Sequence, residues 1–365
     1  EMLTNVFSNI YINNVISMVG INASGKTTTL KFISFVLQML QNEPINNITS
    51  NDVLEGLDKN DEVVLDVYFV SDDKKLIKLN TVIKNKYFKG ELPQTAKNKY
   101  YISSETMWEK SLGSIRVKND LFDFSNFKPI TERNNEELFL LDDVSVIVAL
   151  NKKQNSKLFF IDSVEWTDFN GLRLFGDFPI ELIQFLDPSI EYLKCTDLVE
   201  DNKNIEMQLK FYNKKEITIS SLKEVNKYLS SGTVKGINVF MTAIVALKKG
   251  GYIIVDELEN HFNKEIVSTL LRFFMDSEIN RFGAVLIFST HYIELLDIFE
   301  RNDSVYLTKN KNRISVENLS DILKRNDVKK SELFQSGYLE NTTPSYDSYI
   351  NLKRTLASLP KKRKG

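Results

Sequence analysis

The chain has 365 residues, 42% of them hydrophobic and 26% charged, which suits one large core or two domains and excludes a disordered chain. A formal net charge of −2 and a pI near 6.0 exclude a generally basic nucleic-acid binder, while leaving a local basic patch open. A single cysteine, Cys195, and two histidines, His261 and His291, exclude an intramolecular disulfide and any multi-cysteine or histidine-rich metal centre. Cys195 is expected to be a small buried hydrophobe. There is no apolar run of about 18 residues and no signal peptide, so the chain is expected to be soluble and cytoplasmic. Its Asn, Lys and Ile usage leans towards a bacterial source.

The first element is an apolar run, Val15, Ile16, Met18 and Val19, which reads as a buried strand. It runs into GINASGKT, where Gly20, Gly25, Lys26 and Thr27 fill the pattern G-x-x-x-x-G-K-[ST]. Glycines at this spacing let backbone N–H groups curl around phosphate oxygens, and a helix that starts near Lys26 aims its positive end at them. Asn22, Ala23, Ser24 and Thr28 complete the expected nucleotide contacts, with Lys26 reaching the β/γ-phosphates and the Thr27 hydroxyl offered to Mg²⁺. The spacing predicts a helix over 28–40, stopped by QNEPINN.

EVVLDVYFV (62–70) and KLIKLNTVI (75–83), joined by SDDK, predict an antiparallel hairpin, and the Lys- and Tyr-containing stretch 84–101 is expected to be its solvated tip. The stretch 101–188, with pieces such as EELFLLDDVSVIVALNKK, is expected to be a helical insertion. Strand-like alternation returns in SIEYLKC, NIEMQLKFY and EITIS. YLSSGTVKGINVFMTAIVALKKGG then places Ser230, Ser231, Gly232 and Thr233 at the start of a long apolar helix, where hydroxyls, backbone N–H groups and the helix dipole make an anion site. A plain Ser N-cap explains the same residues if they are taken alone.

Next comes GGYIIVDELEN, four residues of buried-strand character (Tyr252 to Val255) ending in Asp256 and Glu257. Acids at the carboxyl end of such a strand sit where open α/β sheets place their ligands. Asp256 is positioned to complete the Mg²⁺ shell and Glu257 to polarise an attacking water. A second buried run, AVLIFSTH, ends at His291, a candidate sensor of the γ-phosphate if the two strands are neighbours. His261 is expected to be structural or a dimer contact. The chain continues with SVYLTKNKNRISVENLS, a strand, turn and strand, and with a Lys-rich piece; its basic end, LPKKRKG, is expected to be a solvated tail.

In order and spacing these segments resemble the ATPase core of the ABC superfamily. The similarity is greatest to bacterial ABC-type ATPases with an LSSGT signature, the OLD-like, AAA-type ATPases that include the ATPase subunits of phage-defence systems such as PARIS and Septu. Ser231, Thr233 and Leu258 depart from the transporter pattern of LSGGQ and a Pro after the acids, and Phe262, Asn263 and Lys264 replace the Leu-His-Pro of many relatives. Gln38 lies too early in its helix to be assigned as the Mg²⁺-sensing glutamine.

The resemblance implies an α/β fold with an ABC-type P-loop core, an antiparallel β subdomain and the helical insertion. The expected boundaries are 1–100 and 189–325 for the two halves of the core, 101–188 for the insertion and 326–365 for the tail. It also implies ATP and Mg²⁺ as cofactors and a head-to-tail homodimer or higher homo-oligomer in which the signature of one subunit completes the phosphate site of another. The expected function is a defence ATPase that senses infection and controls a separately encoded nuclease or toxin, with nucleic-acid contact left open and no membrane association. A DNA-repair or chromosome ATPase of the SMC and RecF type, disfavoured by the missing coiled coil, and an ATP-locked scaffold are the alternatives.

Overall fold

The computed structural model describes all residues except 1–2, 9, 59, 87–98, 134–139, 155–157, 165–171, 173–177, 199–204, 222–223, 261, 337–345 and 358–365. In chain order its strands are β1 (Leu3–Phe7), β2 (Ile10–Asn13), β3 (Val15–Val19), β4 (Glu62–Val70), β5 (Lys75–Asn85), β6 (Tyr100–Ser111), β7 (Thr131–Glu132), β8 (Phe160–Asp162), β9 (Ile190–Leu198), β10 (Ile205–Phe211), β11 (Ile217–Ile219), β12 (Tyr252–Val255), β13 (Val285–Thr290), β14 (Val305–Asn310) and β15 (Ile314–Asn318). Its helices are α1 (Lys26–Leu40), α2 (Ile147–Gln154), α3 (Ile180–Leu186), α4 (Ser231–Lys249), α5 (Lys264–Met275), α6 (Leu319–Ile322), α7 (Lys330–Gln335) and α8 (Tyr346–Ala357). The fold is mixed α/β. The chain forms two compact units, one of Glu1–Leu3, Asn13–Leu30 and Ile161–Gly365, the other of Thr4–Ile12 and Lys31–Phe160.

The first unit is built on a six-stranded sheet of order β15-β14-β3-β13-β12-β8. Strands β14, β3, β13 and β12 run parallel, and β15 returns antiparallel to β14. A parallel sheet must be covered on both faces, so its strands read as continuous apolar runs: all six residues of β13 are buried. Helix α5 packs on β3 and β13, and α4 on β12. Helix α4 starts where the Ser230 side chain accepts from Thr233 N at 3.0 Å, and it stops at Gly250, whose φ of +75° favours glycine. Asn263 caps α5 by accepting from Ile266 N at 2.9 Å. A separate antiparallel sheet of order β11-β10-β9 belongs to the same unit, and Cys195 is half-buried on β9.

The second unit holds the antiparallel sheet β4-β5-β6-β7. The SDDK turn joins β4 to β5 as the sequence predicts, closed by Ser71 N donating to Lys75 O at 2.9 Å. Phe35 and Met39 of α1 pack onto Leu65, Ile77, Leu79 and Met107.

The structure departs from the expected helical insertion and its boundaries. Residues 100–111 are not helical: they form β6, paired with β5 from Lys75↔Ser111 to Asn85↔Tyr100. In this way 101–160 joins 31–100 in one unit, and the chain does not divide at 100. Described α-helices between 101 and 188 are limited to α2 and α3, beside short 3-10 turns at Leu112–Ser114 and Lys118–Leu121. The cause is a pair of buried polar residues, Glu105 and Lys110, that break the apolar alternation of β6, together with a register shift between Val82 and Ile83. The expected hairpin tip falls largely, and the basic tail wholly, outside the described residues, as does His261. No helix among the described residues is long and apolar enough to cross a membrane.

Buried Glu105 is fully engaged. It accepts from Thr81 Oγ1, Ser145 Oγ and Val146 N, each at 2.7 Å. Glu105→Ala leaves these donors dry and is expected to lower the unfolding free energy by about 3 kcal/mol. Urea denaturation should show an earlier midpoint with an unchanged slope.

Candidate functional site

The phosphate loop links β3 to α1. Ala23 and Gly25 take positive φ values of 61° and 98°, and left-handed residues among right-handed neighbours turn successive N–H groups towards one point, the geometry that cradles an anion. Asn22, Ala23, Thr27 and Thr28 are exposed around this concavity, whereas Ser24 and Lys26 are buried. Lys26 Nζ donates to Gly20 O at 3.0 Å and Ile21 O at 3.3 Å, which holds its ammonium at the mouth of the loop. Burial pushes the pKa of Lys26 down, and the carboxylates of Asp256, Glu257 and Glu259 oppose that shift.

The acid pair leaves the end of β12 beside this loop. Thr27 Oγ1 donates to Asp256 Oδ2 at 2.6 Å, and the other oxygen of Asp256 accepts from Ser289 Oγ on β13. Ser289 Oγ in turn accepts from Glu257 N at 2.7 Å. One serine on the intervening strand thus ties both acids to the sheet. Glu257 has a φ of +45°, sparsely populated for a residue with a Cβ, and Asn260 Nδ2 donates to its Oε2 at 2.6 Å. Its other oxygen lies 3.6 Å from His291 Nε2. Gly20, Lys26, Thr27, Asp256, Glu257 and His291 therefore share one edge of the sheet.

The residues fit a hard divalent cation. A hydroxyl and a carboxylate are already within hydrogen-bond distance of each other, and Mg²⁺ favours one or two protein oxygens together with substrate phosphates. Among the described residues no group of three or more His, Cys, Asp and Glu could hold a metal as an all-protein cage.

The signature residues lie at the start of α4. Ser230 is the N-cap of α4, and its hydroxyl is also 2.8 Å from Thr233 Oγ1. Thr233 is buried in that cap, Ser230 and Ser231 are exposed, and Gly232 is half-buried. Gln38 is taken up by the hydroxyls of Ser34 at 3.0 Å and Thr49 at 3.1 Å, within the second unit.

Sequence reasoning missed a brace on the phosphate loop. Ser24 Oγ lies 2.7 Å from Thr308 Oγ1 on β14, and Asn310 Nδ2 donates to Ala23 O at 3.2 Å. Ile314 of β15 covers Gly25 so closely that a Cβ there would lie 2.6 Å from its side chain. No local pattern marks these residues. It also missed Glu259, which is 5% exposed and accepts from His291 N.

The family described as "AAA domain, putative AbiEii toxin, Type IV TA system" matches residues 15–297. That span holds the phosphate loop, the acid pair and His291, and the chain belongs to this family. No curated protein matches. Among solved structures, one titled "Crystal structure of the SmcHead bound to the C-winged helix domain of ScpA" is similar at 13% identity with a TM-score of 0.44, over 86% of this chain and 94% of that one.

Gly20 tests the brace. An added Cβ would lie 2.4 Å from Ser24 Oγ and 2.6 Å from the backbone oxygen of Thr308, which cannot swing away. Gly20→Ala is expected to cost about 1–3 kcal/mol of stability and to weaken binding of a fluorescent ATP analogue, read by thermal melts and fluorescence titration.

Proposed function

We propose that this member of the AAA domain family binds and hydrolyses ATP with Mg²⁺, and that a second copy of the chain completes each site. The 2.6 Å bond between Thr27 and Asp256 carries the reading, because it joins the phosphate loop to the acid pair across 229 residues of sequence. The loop N–H groups of residues 22–28 and the Lys26 ammonium hold the triphosphate. Thr27 and Asp256 hold Mg²⁺, which supplies charge neutralisation to the phosphate oxygens. Glu257, fixed by Asn260, accepts a proton from the attacking water, and His291 donates towards the transferred phosphoryl group. The exposed Ser231 at the start of α4, beside Ser230, Gly232 and Thr233, supports a head-to-tail arrangement in which these residues face the phosphate of the other copy.

We further propose that turnover controls a separately encoded effector, a nuclease or toxin, in a bacterial anti-phage defence system. The LSSGT-type signature supports the defence reading, and the family description, which names a toxin of a toxin–antitoxin system, supports a two-gene arrangement.

Glu257→Gln is expected to keep ATP affinity and lower turnover by about 10²–10⁴, measured by phosphate release; equal turnover removes Glu257 from the mechanism. Lys26→Ala should weaken binding itself. Mixing Lys26→Ala chains with Ser231→Arg chains should restore one composite site per heterodimer. Confirmed heterodimers with no more activity than either variant alone refute the shared site. The defence reading is tested by phage challenge: cells carrying Lys26→Ala with the neighbouring gene should lose protection, and a partner should copurify with the wild-type chain.

A further inference from the structure

The turn after β12 carries a third acid, Glu259, whose carboxylate faces inward while that of Glu257 faces the site: its residue is 5% exposed, against 39% for the Glu257 side chain. Glu259 Oε1 accepts the backbone N–H of His291, and Oε2 is buried without a hydrogen-bond partner among the described residues. Leaving one oxygen of a buried carboxylate dry is costly, and an apolar residue of similar size would avoid that cost if the position served packing alone. Leu258, next to it, is such a residue.

Among the described residues, the hydrogen bond that the Glu259 side chain makes is at the point where β13 ends. His291 is the first residue past the strand, where its N–H has left the ladder, and the chain turns at once, with Tyr292 N donating to Thr290 Oγ1 at 3.0 Å. The direction of the His291 side chain is therefore set by whatever holds that amide. Its Nε2 stands 3.6 Å from Glu257 Oε1, so a shift of the amide is a shift of the imidazole against the acid.

We propose that Glu259 is a positioning residue for ATP turnover: by gripping the amide of His291 it locks the imidazole at its distance from Glu257. Within DELEN, Asp256 and Glu257 then meet metal and water, while Glu259 and Asn260 each hold one of the groups that do the chemistry. This inference rests on the reading of Glu257 and His291 given above.

The test uses the full chain with Glu259→Ala and Glu259→Gln, each with and without His291→Ala. Glu259→Ala is expected to lower kcat by about 10–100-fold with ATP affinity and melting temperature nearly unchanged. Glu259→Gln, whose amide oxygen still accepts, should recover most of the loss. In the His291→Ala background Glu259→Ala should cost nothing further, since one residue acts through the other. Full additivity of the two substitutions, or a loss that follows affinity or melting temperature, overturns the proposal. Hydrogen exchange at the His291 amide in nucleotide-free protein gives a readout independent of turnover. Faster exchange in Glu259→Ala but not in Glu259→Gln supports the grip even if the wild type proves not to hydrolyse ATP, and equal protection in all three overturns it. If Glu259→Ala fails to fold, Glu259→Asp, with a shorter reach, takes its place in the same measurements.

Discussion

Everything at the site depends on the parallel register of β3, β13 and β12. Val19 stands opposite Thr290, and Val255 opposite Phe288, so the three strands stop almost level. Gly20, His291 and Asp256 then leave the sheet at the same edge. A slip of one residue in any of these strands would turn its side chains to the other face and carry its terminal residue out of reach. The buried apolar runs make such a slip costly, because both faces of these strands are covered. Ser289 turns this register into contact: a small hydroxyl on the middle strand receives Glu257 N and donates to Asp256, whose other oxygen meets Thr27.

The parts of the site that a local pattern encodes were legible in the sequence. The phosphate loop follows from two glycines, Lys26 and Thr27 at fixed spacing after an apolar run, and the acid pair from four strand residues ending in Asp256 and Glu257. The His291 strand was placed correctly beside them, since β12 and β13 are paired neighbours. What the sequence hid is what depends on burial or on distant partners. Glu259 reads as one acid among several, and only the fold distinguishes the inward carboxylate from the outward one. Thr308, Asn310 and Ile314 are ordinary residues of an edge hairpin until the sheet sets them against the loop.

The same limit explains β6. A strand is recognised by alternation, and Glu105 and Lys110 occupy inward positions with polar groups that are satisfied only in three dimensions: Glu105 by Thr81, Ser145 and Val146, and Lys110 by the carbonyl groups of Asp120 and Asp123 beside the rings of Phe124 and Phe127. Their partners lie up to 41 residues away, beyond any window in which a periodicity is read. The first unit takes segments of the chain from both sides of the second, so a linear division of the chain could not separate them.

The hairpin that braces the phosphate loop has a consequence for biosynthesis. Asn310 is 287 residues downstream of the loop carbonyl that it holds. At ribosomal rates of about 5–20 residues per second, the loop leaves the ribosome roughly 15–60 s before its brace. During that interval the nascent chain carries a recognisable nucleotide motif without the support that fixes its shape. Until β14 and β15 have been synthesised, the loop lacks the Thr308 and Asn310 hydrogen bonds and the Ile314 cover that hold its shape in the folded unit.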